Sequence, residues 1–108
     1  MGQPQLQRSS QELQTMFEDL LKSRNVYYNP PASVRMSYPA IVFNRGRINN
    51  TFASNSVYRQ TYPYEVTVIT RDPDAEIIDK ISKLPMCSFN TSFLSDNLYH
   101  NVFTIYHK

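Results

Sequence analysis

The sequence predicts an α+β fold: a mostly antiparallel sheet with two amphipathic helices packed on one of its faces. Two observations support this prediction. Two segments carry apolar residues at helical spacing, and several others alternate apolar and polar residues as half-buried strands do. One-sided helices need a shared apolar surface, which such a sheet supplies. The 108 residues predict a single domain, with a long polar loop or hairpin arm between the first two main strands.

The first helix is expected to begin at Ser9, after eight mostly polar residues that we expect to be disordered. Ser9 and Glu12 have the spacing of a capping box, in which each side chain bonds to the other residue's backbone N–H. Five apolar residues then follow on one stripe of the helix: Leu13, Met16, Phe17, Leu20 and Leu21.

The middle of the chain predicts an irregular stretch followed by a strand. Pro30 and Pro31 forbid a helix, so residues 25–38 are expected to be irregular or a short edge strand. Residues 40–45 are expected to form a strand with apolar residues on both faces, and Gly46 suits a turn or bulge with positive φ. The polar residues 48–56 then predict the long loop or hairpin arm.

The second half predicts three strands and one helix. The strongest strand spans residues 58–70, with Pro63 expected at a sheet edge or bend. Asp72 is expected to cap the second helix, with Pro73 at its first position. Its buried stripe comprises Ile77, Ile78, Ile81 and Leu84. Strands near residues 87–93 and 98–106 complete the chain.

Composition excludes several classes of function. Two glycines are too few for a phosphate-binding loop, and a net charge of +2 is too small to attract a polyanion. The lone Cys87 indicates a reducing compartment. The sequence has no long apolar run, so neither a membrane span nor a signal peptide is expected.

No pattern of residues indicates catalysis. His100 and His107 are seven positions apart in a strand, and an odd offset puts them on opposite faces and away from one shared metal. Cys87 is expected to be a buried, inert thiol, and Asp72 and Asp74 to be helix-capping residues. We therefore expect no enzyme, cofactor or metal site.

The order of the segments from Ser37 onward resembles the tail terminator, or tail completion, proteins of long-tailed bacteriophages. The resemblance covers about residues 10–106 and depends on the succession of strand and turn patterns. These patterns are Tyr38-Pro39-Ala40-Ile41-Val42-Phe43, Arg45-Gly46-Arg47-Ile48-Asn49, Ala53-Ser54-Asn55-Ser56-Val57-Tyr58, Tyr64-Glu65-Val66-Thr67-Val68-Ile69, Asp72-Pro73-Asp74, Leu84-Pro85 and Ser95-Asp96-Asn97-Leu98-Tyr99-His100-Asn101-Val102-Phe103-Thr104-Ile105-Tyr106.

This resemblance implies a structural virion protein that performs no reaction. Six copies would form a ring that caps the tail tube and stops its polymerisation. The ring would also provide the surface that joins the head connector. The implied partners are further copies of the chain, the tail-tube protein and the head–tail connector proteins, with assembly in the host cytoplasm and a final place in the tail or neck of the virion.

A ring needs two different contact patches on each subunit. We expect a polar arm to supply one and a sheet edge the other, with the arm mobile in the free subunit and ordered in the ring. Phe52 is the one large apolar side chain amid the polar residues. The predicted interface residues are Asn49, Asn50, Thr51, Phe52, Ala53, Ser54, Asn55 and Tyr58.

Arg45 and Arg47 are expected to face the lumen of the ring, where they would contact phosphates of passing DNA without reading its sequence. The alternative is that both are solvated ends of strands. Two other functions stay open: a head-completion or neck protein, and a small regulatory or nucleic-acid-binding domain. The second would need a basic, aromatic sheet face, and basic companions to the aromatic residues are lacking.

Overall fold

A computed structural model describes residues 4–46 and 62–107, which form one five-stranded sheet and two helices. In chain order the elements are α1 Pro4–Leu21, β1 Val26–Tyr28, β2 Ala40–Arg45, β3 Tyr62–Thr70, α2 Glu76–Ser82, β4 Cys87–Ser95 and β5 Leu98–His107. The strand order is β1-β2-β3-β5-β4, antiparallel throughout except for the parallel pair β1–β2. The predicted α+β fold is therefore confirmed.

The core lies between the two helices and one face of the sheet, which we call the helix-covered face. Residues that stand opposite each other in an antiparallel pair share a face, and Phe43, Val66 and Phe103 do so across three strands. The opposite face is called the outer face. The buried core comprises Leu13, Phe17, Val26, Ile41, Phe43, Tyr64, Val66, Val68, Ile77, Ile81, Phe103 and Ile105.

Helix α1 packs its predicted stripe on the sheet but begins earlier than expected. Leu13 and Phe17 are fully buried, and the Phe17 ring meets the Phe43 ring edge-on at 5.2 Å between centroids. The helix starts at Pro4 rather than Ser9, so the expected capping box lies inside it. Proline suits the first helical turn because its missing N–H has no partner there.

Helix α2 begins later than predicted. The expected cap, Asp72, instead accepts a hydrogen bond from the Asp74 N–H at 2.9 Å, which closes a turn before the helix. The residue that precedes the helix is Ala75, which provides no side-chain cap. The predicted stripe is correct, because Ile77 and Ile81 are buried and Ile78 and Leu84 pack against the core.

The structure corrects the interpretation of Gly46 and Pro63. Gly46 does not have a positive φ; its N–H donates to the Pro63 carbonyl at 2.8 Å. Pro63 lies in the central strand, not at an edge. The N–H that Pro63 lacks would face Gly46, just past the end of β2. Only the last hydrogen bond between β2 and β3 is therefore missing.

Strand β2 has the predicted bounds, and β1 is the predicted short edge strand. Strands β4 and β5 extend to Ser95 and His107, beyond the predicted ends. The polar arm and the residues 58–61 of the strongest predicted strand lie outside the described residues.

Candidate assembly surface

Strand β4 forms one edge of the sheet and is exposed along nearly its whole length. Within residues 4–46 and 62–107 it pairs with β5 alone. Eight of its nine residues are exposed, Cys87 being the exception. The strand contains no charged residue, proline or glycine. Natural proteins often protect edge strands with charged residues or proline, and β4 has neither, so its backbone is open to another strand.

A tight turn fixes which backbone groups of β4 face outward. Asp96 and Asn97 have φ values of 53° and 62°, as a two-residue type I′ hairpin turn requires. Ser95 and Leu98, which flank this turn, therefore form a hydrogen-bonded pair. Backbone groups then alternate along the strand, so those of Thr91, Phe93 and Ser95 point to β5 and those of Ser92 and Leu94 point outward.

A bulge at Asn90 changes which face of the sheet the side chains occupy. The pairing shifts between Phe89↔Phe103 and Thr91↔Val102, which leaves Asn90 unpaired in the ladder. The Asn90 side-chain amide instead donates to Thr104 Oγ1 at 2.7 Å. Five residues, 91–95, remain as a regular run between the bulge and the turn.

Because of the bulge, β4 presents apolar side chains on both faces of the sheet. Phe89 lies on the helix-covered face, with its ring 5.6 Å from that of Phe103. Phe93 lies on the outer face, stacked on the His100 ring at 4.7 Å and 12°. Leu94, opposite Tyr99, returns to the helix-covered face.

These side chains leave a substantial apolar area in water. Phe89, Phe93 and Leu94 are 58%, 49% and 58% exposed. A Phe side chain can bury roughly 150–250 Å², so each half-exposed ring leaves about 100 Å² uncovered. Large apolar side chains clustered along one edge are a feature of interaction surfaces.

The opposite edge of the sheet is protected. Strand β1 has three residues. The Ile41 N–H donates to the Asn25 carbonyl, which places the Val26 carbonyl on the outward side of β1. That carbonyl accepts a hydrogen bond from the Gln14 side-chain amide at 3.3 Å. The two edges thus differ: β1 is short and capped, whereas β4 is long and open.

A groove of about 400 Å³ lies at the base of the β4–β5 hairpin, between α1 and the end of β5. Met16, Leu84 and Met86 line it, and the side chains of Glu12 and His107 meet at its rim, 3.2 Å apart. Met86 is 40% exposed. The groove is apolar and carries no set of groups typical of a catalytic site.

The residues weighed for catalysis do not form a cluster. His100 and His107 occupy opposite faces of β5, as predicted. Partial burial raises the pKa of the Cys87 thiol, which disfavours the thiolate needed for nucleophilic attack. Within the described part of the chain, no three His, Cys, Asp or Glu side chains come together to hold a metal.

Of the residues predicted to face a neighbouring subunit or the lumen, Arg45 alone lies within the described part of the chain. The Arg45 guanidinium lies over the Tyr62 ring, 4.0 Å from its centroid. Arg47 and the predicted interface residues 49–55 and 58 lie outside the described residues. Sequence reasoning missed the exposed residues of β4, because an uncharged nine-residue run is more typical of an interior strand than of an edge.

Comparisons of the chain with protein-family models, curated proteins and solved structures give no match. In the residues that the structure describes, none of the helices is both long and apolar enough to cross a membrane.

Proposed function

We propose that the chain is the ring-forming tail terminator of a long-tailed bacteriophage, a structural protein that caps the tail tube. It stops polymerisation of the tube and joins it to the head connector. The observation that supports self-assembly is the open edge of β4, where Phe89, Phe93 and Leu94 are exposed beside outward-facing backbone groups. Such an edge is stabilised when another strand covers it.

In the ring, the β4 edge of one subunit receives the polar arm of the next. This contact joins two different patches, so it repeats around an axis and gives the ring two distinct faces. One face meets the tail tube and the other meets the connector. The β1 edge is shorter, with three residues, and its outward Val26 carbonyl already accepts a hydrogen bond from Gln14.

The test is the mass of the purified full chain across a wide concentration range, by analytical ultracentrifugation and native mass spectrometry. We expect a six-subunit species that appears as rings in electron micrographs. Phe52→Ser should reduce its amount at least tenfold, whereas Ser54→Ala, in the same arm, should not. A chain that never forms a six-subunit species, alone or with tail-tube protein, would contradict the proposal.

A second measurement separates the terminator from a head-completion or neck protein, which would form a similar ring. Tails assembled without heads should carry the protein if it is the terminator. Its presence on heads alone would favour the neck protein.

The arginines near the arm form a separate part of the proposal. Arg45 and Arg47 face the lumen, where they contact phosphates of passing DNA. The double substitution Arg45→Ser and Arg47→Ser should leave the ring intact and slow DNA passage. The Tyr62 ring beneath Arg45 orients its guanidinium. Unchanged DNA passage would make both arginines solvated strand ends.

A further inference from the structure

We infer that two free copies of the chain pair through their β4 edges, forming a twofold dimer that is separate from the ring. Each copy contributes the regular run of residues 91–95, and the two runs lie antiparallel. The result is one continuous sheet through both subunits. This inference depends on the geometry of β4 and not on the proposed ring.

The backbone supports one register. Ser92 and Leu94 carry the outward N–H and C=O groups, so each should face the other on the opposite copy as a hydrogen-bonded pair. Phe93 then lies at the twofold axis, opposite Phe93 of the other copy. This register overlaps the whole bulge-free run 91–95 with itself, so it forms the longest regular ladder that the edge allows.

The side chains fit the same register. On the outer face, the stacked pair Phe93–His100 of one copy continues into the same pair of the other, forming a row of four rings. Thr91 lies opposite Ser95, a favourable hydroxyl pair. On the helix-covered face, Leu94 covers Ser92 of the other copy. The pairing therefore covers apolar surface on both sides of the sheet.

Charge does not oppose this pairing. Strand β4 carries no charge, and the nearest acidic residue, Asp96, would face Asn90 of the other copy rather than another Asp96. A charged partner strand would gain no ion pair from this edge. A second copy of β4 is the occupant we infer, because it carries no charge and its regular run 91–95 pairs with itself over its full length.

All subunits of the proposed ring have the same orientation along its axis. A twofold pair reverses the orientation of one copy relative to the other, so the pair cannot form part of that ring. Pairing and ring formation then compete for the same edge. Five paired residues and two side chains per copy make an interface below about 1,200 Å², a size typical of weak complexes. We expect a dissociation constant in the micromolar range.

The first test uses two variants at Ser92, whose N–H points away from β5. Ser92→Pro removes this outward donor without breaking the β4–β5 ladder, and Ser92→Ala keeps it. In sedimentation experiments, wild type and Ser92→Ala should form a two-subunit species at micromolar concentration. Ser92→Pro should stay monomeric, with an unchanged circular dichroism spectrum. Leu94→Lys, at an exposed position, gives the same test without a proline.

The second test fixes the register. In a Cys87→Ala background, Phe93→Cys places two thiols across a non-hydrogen-bonded pair, with Cα atoms about 4.5 Å apart. A mild oxidant should link most of the protein into a covalent dimer. Leu94→Cys is the control, because its two Cα atoms would be roughly 8 Å apart and too far for a disulfide.

The results distinguish this dimer from the ring. A two-subunit species that Ser92→Pro abolishes and Phe93→Cys cross-links supports the inference, whether or not a six-subunit species forms. A wild-type chain that is monomeric in the absence of rings would overturn it. So would a dimer that neither Ser92→Pro nor Leu94→Lys weakens, or pairing of the edge with another protein only.

Discussion

Lys22 ends helix α1 in a left-handed conformation, with φ of 58°. The Ser23 N–H reaches back to the Glu18 carbonyl at 3.2 Å, the bond that closes a Schellman motif at a helix end. Glycine is the residue usually found at this position, because its missing Cβ removes the steric cost of positive φ.

Lys22→Gly should therefore stabilise the protein by about 0.5–1 kcal/mol. Urea unfolding followed by circular dichroism would measure the change. Lys22→Ala is the matched control, since it removes the same charge but keeps a Cβ in the left-handed region. If Ala stabilised the protein as much as Gly, the effect would arise from the lysine charge and not from the backbone.

The Cys87 thiol should react slowly in the folded protein. Burial raises its pKa above the ordinary value, so less thiolate is present at neutral pH than in a free cysteine. We expect alkylation by iodoacetamide at pH 7 to be slower than that of a short cysteine peptide, and to accelerate as the pH rises through the thiol pKa. Mass spectrometry would follow the reaction, with the urea-unfolded chain as the fast control. Equal rates in folded and unfolded protein would contradict the effect of burial.

Backbone conformation at single residues was hard to predict from composition. The chain has two glycines, so Gly46 was the natural candidate for positive φ. The structure instead places Lys22, Asn29, Met86, Asp96 and Asn97 in this region. Asn and Asp tolerate it because their side chains bond to the local backbone, but nothing local marks Lys22 or Met86. Lys22 lies between α1 and β1, and Met86 lies just before β4, so their conformations depend on the direction in which the chain enters the next strand.

At the scale of the element, α1 depends on Phe17 for its attachment to the sheet. Its side chain is fully buried and meets the Phe43 ring edge-on. Phe17→Ala should cost about 3–5 kcal/mol, because it removes apolar contacts and leaves a cavity. Asp19→Ala, on the exposed side of the same helix, should cost less than about 0.5 kcal/mol. Thermal and urea unfolding would compare them; similar losses would mean that α1 does not pack as described.

Element boundaries were predictable where local chemistry alone determines them. Strand β2 has its predicted bounds because Pro39 and Gly46 enclose an uninterrupted run of six residues that begins with four apolar ones. The starts of the two helices were wrong because each had a competing local signal. Pro4 allows α1 to begin early, and the Asp72 side chain closes a turn before α2. The buried stripes were correct, since apolar spacing reports the buried face directly.

At the scale of the whole molecule, the order of strands in the sheet could not be predicted from the sequence. Strand β5 enters between β3 and β4, so the last strand lies inside the sheet and the one before it becomes an edge. Nothing in the local pattern of residues 87–95 distinguishes an edge from an interior strand. The bulge at Asn90, which brings Phe93 to the outer face, was equally non-local.

Hydrogen exchange would report on the whole sheet at once. The amide of Val66, in the central strand, should exchange slowly at every concentration. The outward amides of Ser92 and Leu94 should exchange fast in dilute protein and slowly at concentrations where copies pair. Protection of these two amides that does not change with concentration, in protein free of rings, would contradict a reversible contact at β4.

The hydrogen bond from Gln14 to the Val26 carbonyl has a consequence for fibre formation. A sheet with two open edges can add molecules without limit, as amyloid does. Here β1 has only three residues and one of its outward carbonyls already accepts a side-chain hydrogen bond, so a pair of molecules joined at β4 presents a short, partly satisfied edge at each end of its ten-stranded sheet. Both the shortness of β1 and the Gln14 hydrogen bond therefore work against the growth of filaments from the paired molecules.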